Sequence, residues 1–231
     1  MEEIALKGNA GVVSERKKDF YSFYTKGEEI FNAVSHIVGG AFGLVVWITL
    51  CVFAYPSAVN IVASSVFAAS IVILYTMSAL YHFLPGGRAK GVFRIFDHCT
   101  IFLLIAGTYT PYCMIALGGT TLGIITLIVE WVCAAAGITM NAIAMNNKVV
   151  KGISLALYLI MGWLAVFGFG KLWGMISPAS MWLLLSGGIV YTAGIVFYAL
   201  GRKVRYFHSV WHLFDLAGTA LQFASILLLL I

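Results

Sequence analysis

Two histidines one helical turn apart, His208 and His212, open the last long apolar segment in the run Phe207-His208-Ser209-Val210-Trp211-His212-Leu213. An i, i+4 pair presents both imidazoles from one helix face, the spacing that two metal ligands need. His82 and Asp97 stand at the ends of two other apolar segments, so three helices can contribute to one site. Ser78 lies one turn before His82 on the same face. Three histidines with a fourth position open form the ligand set of catalytic zinc, whereas structural zinc sites close with four protein ligands, commonly cysteines. Zinc lowers the pKa of water toward about 7 and polarises a carbonyl, two tasks that suit acyl or amide hydrolysis. In such a site Asp97 either accepts the water proton or orients a histidine, and the Ser78 hydroxyl bonds the water or a developing oxyanion. Plainer readings stand beside these. A histidine at a membrane interface often meets only water or headgroups, and an aspartate that begins a span is often a helix N-cap.

The elements that must carry these residues are set by composition. The chain has 231 residues, of which 61% are hydrophobic and only 10% charged, against roughly 25% charged in a soluble domain. That balance excludes a soluble enzyme and predicts an integral membrane protein. A bilayer crossing needs about 20 largely apolar residues. Seven such segments are predicted, near 34–54, 58–82, 97–117, 119–143, 152–170, 179–200 and 206–231, giving an all-α seven-helix bundle over residues 32–231. Residues 1–31 are rich in Lys and Glu and lack the apolar core and cleavage site of a signal peptide. They read as a retained N-terminal segment, partly an interfacial helix.

Basic residues fix the expected orientation. Lys171 alone of the 14 lies on one side, and the other basic residues precede span one or fall between spans two and three, four and five, or six and seven. By the positive-inside rule the N-terminus is cytoplasmic and the C-terminus external. The formal charge of +5 therefore reports topology and contact with anionic lipid, and nucleic acid has no soluble patch to bind. His82, Asp97, His208 and His212 all fall at the cytoplasmic ends of their spans. Had one fallen at the opposite end, about 30 Å of hydrocarbon would separate it from the rest.

Ser78-Ala79-Leu80-Tyr81-His82 forms an SxxxH motif, and His208 and His212 form HxxxH. With the segment from Glu29 to His36 and the run from Asp97 to Tyr112, they resemble the hemolysin III branch of the progestin and adipoQ receptor (PAQR) family, over nearly the whole chain. The wider superfamily includes alkaline ceramidases. The resemblance implies a seven-helix fold with a cytoplasmic N-terminus and an intramembrane zinc ion held by His82, His208 and His212, with Asp97 and Ser78 around its water. The chain departs from the family pattern in having Asp215 where many relatives carry an apolar residue and Gln222 near the position where they carry a further histidine. Asp215 is three residues after His212, as a carboxylate partner for an imidazole N–H would be, or one that alters the charge of the site.

Other polar residues are weighed in the same way. Glu29, Asn32 and His36 share one helix face, read as a polar cluster joining helices in preference to a second metal site. His98 points about 100° away from Asp97 and is read as a packing residue. Glu130, in the middle of span four, must be buried in the bundle, either protonated and hydrogen-bonded or part of a proton or ion path. Cys51, Cys99, Cys113 and Cys133 form no CxxC pair and read as reduced packing residues. Gly137, Gly162, Gly168, Gly170, Gly187 and Gly188 are expected to permit close helix contact. Three function classes follow: a zinc-dependent hydrolase of lipid amides or esters with membrane lipid as partner and substrate, a cytolytic membrane protein as the hemolysin name implies, and a receptor or membrane sensor with structural zinc. Oligomeric state has no signature in the sequence.

Overall fold

The computed structural model describes residues 23–231, and the segment expected to form an interfacial helix lies mostly outside them. Seven helices are long and apolar enough to cross a membrane. They are α1 (Lys26–Ala54), α2 (Ala58–Phe83), α3 (Arg88–Pro111), α4 (Thr121–Ala144), α5 (Lys148–Gly162), α7 (Pro178–Leu200) and α8 (Phe207–Leu227), with a five-residue α6 (Phe169–Trp173) after a 3₁₀ turn at Leu164–Gly168. A π-helical turn, Tyr112–Ala116, follows Pro111 and lengthens the third span. No strand occurs among the described residues.

Polar side chains set several helix starts. Thr25, Ser57, Thr120, Asn147 and Ser177 each accept a backbone N–H from the first turn of their helix, satisfying donors that have no intrahelical partner. Thr25 and Glu28 complete a capping box, so α1 begins at Lys26, eight residues before its apolar run. α3 begins at Arg88, nine residues before Asp97. Asp97 is therefore an interior helical residue and not an N-cap. Lys90 and Arg94, expected in a loop, occupy the first turns of α3 and are buried.

α3 is the most enclosed span, with 61% of its apolar window buried against 11% for α7. One core joins Val46 and Leu50 of α1, Phe67 and Ile71 of α2, Leu104 of α3 and Ile226 of α8. A second packs Phe102 of α3 on Ala134 of α4 and Tyr158 of α5. A Cβ at Gly137 would overlap the Phe102 ring, and one at Gly187 would meet Gln222 at 2.6 Å, so both glycines permit close approach. Gly162 and Gly170 face open space and do not serve that purpose. Large apolar side chains such as Val38, Ile48 and Val52 remain exposed along α1, as expected of a face that meets lipid rather than water.

Candidate metal centre

The ends of α2 and α8 bring His82, His208 and His212 together. All three are buried, and one ring nitrogen from each lies within 4.8 Å of the others. His208 Nε2 and His212 Nε2 are 3.3 Å apart. Zinc–nitrogen bonds of about 2.0–2.1 Å at the tetrahedral angle separate two ligand atoms by about 3.3 Å.

The outer ring nitrogens explain why lone pairs point inward. Glu29, from the first turn of α1, places Oε2 2.7 Å from His82 Nδ1, so the carboxylate accepts the Nδ1–H. His82 Nε2 then carries a bare lone pair, and it is buried with no protein partner among the described residues. His212 Nδ1 lies 3.2 Å from Ser35 Oγ, whose own proton goes to the Asn32 carbonyl. That directs the His212 Nε2 lone pair inward. His208 is placed by packing: its ring stacks on Tyr24 at 4.5 Å, and Gly201 leaves room for it. His208 Nε2 and His212 Nε2 face each other closely enough for one to donate to the other, and with His82 Nε2 they form a set that could hold a cation such as zinc in place of that bond.

The polar cluster on α1 supports this centre from three sides. Glu29 Oε1 lies 2.9 Å from Lys90 Nζ, and the same ammonium donates to the carbonyls of Tyr81 and Leu84. Asn32 Oδ1 accepts from Ser209 on α8. His36 stacks on His212 with ring centroids 3.7 Å apart, but it is not in the converging trio. Sequence patterns placed these α1 residues on one face without pairing Glu29 to His82. The 53-residue separation of that pair leaves no local signal.

Asp97 and Ser78 also meet. The Ser78 hydroxyl and the His82 ring both act electrostatically on the Asp97 carboxylate. Asp97 and His208 line the same cavity. His98 does not turn away from Asp97 as its helical position suggested: its Nδ1 lies 3.0 Å from the Arg94 carbonyl and 3.4 Å from Asp97 Oδ2, and the ring lines the same cavity as Asp97. Asp215 contacts His36 at 3.8 Å and so reaches the trio through that ring. Glu130 is fully buried, with neither carboxylate oxygen bonded among the described residues. The four cysteines are free thiols. Outside the membrane segments, burial pushes the Tyr24 hydroxyl pKa up, so Tyr24 meets the site as a neutral phenol.

A family model described as Haemolysin-III related matches residues 24–223. The chain belongs to that family. Hemolysin-3 homolog of Bacillus subtilis (strain 168) is 36% identical over 206 residues, 88% of this chain and 95% of the relative. Hemolysin-3 of Bacillus cereus is 37% identical over 202 residues, covering 87% and 90%. A human protein, monocyte to macrophage differentiation factor, is 24% identical over 168 residues, covering 70% and 67%. With seven apolar helices, this haemolysin-III-related chain is a multi-pass integral protein of the bacterial inner (cell) membrane. Three of its buried histidines are arranged so that they could hold a metal ion.

Proposed function

We propose that this protein is a zinc-dependent hydrolase of lipid amides or esters, working at the cytoplasmic boundary of the membrane. The observation that carries the proposal is the set of converging imidazole nitrogens, with Asp97 lining a cavity shared with His208. His82, His208 and His212 would hold the metal. When bound, zinc supplies a Lewis acid for a carbonyl oxygen and lowers the pKa of water.

The residues around it divide the remaining work. Asp97 takes a proton from the attacking water and returns it to the leaving amine or alcohol. Ser78 fixes the carboxylate that performs this transfer. Glu29 and Ser35 hold two imidazoles in the ligand tautomer. A cavity of about 550 Å³ between α1 and α2 reaches His82 past Ile30, Val34 and Ile37, an apolar approach suited to an acyl chain.

The proposal is tested on folded protein purified in detergent. Replacing His82, His208 or His212 by Ala is expected to remove most bound zinc and all hydrolysis of a lipid amide or ester. Asp97→Ala is expected to keep much of the metal and lose turnover. Full zinc retention in both His208→Ala and His212→Ala would overturn the ligand assignment, whereas turnover in Asp97→Ala would remove only its role as base.

A further inference from the structure

A second opening, distinct from the α1–α2 cavity, reaches the candidate metal centre at His208. It has a volume of about 300 Å³ and runs from Asp97 and His208 outward to Lys151 and Arg202. Tyr24 lines both openings. The α1–α2 cavity is mainly apolar, and Lys90 on its wall is paired with Glu29, whereas the second opening ends in Lys151 and Arg202.

Those cations lack a countercharge. Among the described residues neither Lys151 nor Arg202 forms an ion pair with a carboxylate, and Asp97, the acid in this cavity, is engaged by Ser78 and His98. Arg94 and Arg202 both lie over the Phe23 ring, at 4.9 and 4.2 Å from its centroid. Arg94 is buried, its Nε has no partner among the described residues, and it acts electrostatically on both Arg202 and Lys151. Three cations are thus held near one another against mutual repulsion. An anion would relieve it.

We infer that this cavity takes the oxyanion headgroup, phosphate in type, of an amphiphile whose acyl linkage lies at the metal centre. The inference deepens the hydrolase proposal and rests on it for the position of the acyl linkage. It makes the substrate class acidic rather than neutral or zwitterionic. Arg202 supplies the planar donor fork that matches a phosphate, and Lys151 supplies a compact charge. Both are specificity-determining residues at a distance from the bond that breaks. General attraction of a basic membrane face for anionic lipid would act equally through Lys148 and Lys203, which are exposed outside the cavity.

The test is binding, independent of turnover. Purified protein in uncharged detergent is titrated with fluorescent-acyl phosphatidic acid and with the diacylglycerol bearing the same chains. Wild type is expected to favour the phosphatidic acid by about tenfold or more. Lys151→Gln with Arg202→Gln should abolish that preference, while Lys148→Gln with Lys203→Gln, which removes the same charge, should retain it. Gly152 lines the cavity, and a Cβ there would meet nothing within 4 Å. Gly152→Leu should therefore fold normally and weaken binding of phosphatidic acid. Equal binding of the two lipids, or equal loss in the two double variants, would overturn the inference. Inorganic phosphate is the third arm: its binding as tightly as phosphatidic acid would identify a soluble oxyanion and overturn the headgroup assignment. In His212→Ala the preference should persist without turnover, so failure of the hydrolase reading and failure of headgroup selection give different results.

Discussion

Glu29 Oε2 lies 2.7 Å from His82 Nδ1 while its other oxygen lies 2.9 Å from Lys90 Nζ. One carboxylate therefore orients a candidate ligand and neutralises a buried ammonium. Its two roles are separable. Glu29→Gln should lower zinc affinity about 10–100-fold, as loss of a carboxylate partner of a ligating histidine does. Chelator competition on purified protein measures it, and unchanged affinity would dismiss the orienting role.

Glu29→Leu should also destabilise the fold by about 3–5 kcal/mol because Lys90 is left charged and buried. Adding Lys90→Met should recover most of that loss without recovering zinc affinity. Thermal unfolding and metal content, followed together across the two variants, separate the effects. Recovery of metal affinity in the double variant would contradict the separation.

Gly201 controls how closely α8 approaches the end of α7. A Cβ there would lie 2.9 Å from His208 Cβ and 3.1 Å from His208 N. Gly201→Ala is expected to displace His208 and weaken zinc binding, whereas Gly152→Ala, with open space at its Cβ, should leave it unchanged. Equal zinc affinity in the two variants would show that His208 tolerates the shift.

Glu28 ties the start of α1 to the start of α8. Its carboxylate accepts the Thr25 backbone N–H and, through Oε1, the Tyr206 backbone N–H at 2.7 Å. Tyr206 has a φ of 62°, in the left-handed region that a tyrosine rarely adopts, just before His208. Glu28→Ala is expected to cost about 1–2 kcal/mol and to speed amide hydrogen exchange in the α7–α8 turn. Unchanged exchange there would show that the turn holds itself.

Seven crossings leave the two ends of the chain on opposite faces of the membrane, and the asymmetry of basic residues predicts which is which. Reporter fusions should find the N-terminus cytoplasmic and the C-terminus external. Both termini on one side would remove an odd number of spans.

The seven spans and the His208–His212 pair were legible in the sequence because both are local, and His82 could be added to the pair because span order puts it at the same membrane end. Apolar runs of bilayer length declare helices, and the His208–His212 spacing fixes two side chains on one face whatever the helix packs against. The start of α3 was not legible, because Arg88, Lys90 and Arg94 interrupt the apolar run even though the backbone remains helical through them. The burial of Lys90 and Arg94 depends on partners elsewhere in the fold, as Lys90 does on Glu29. The same reason hid the pairing of Glu29 with His82 and the meeting of His36 with Asp215. A helix face can be read from residue spacing, but the neighbour it meets is set by the rotation and crossing of packed helices, and only the tertiary structure decided that.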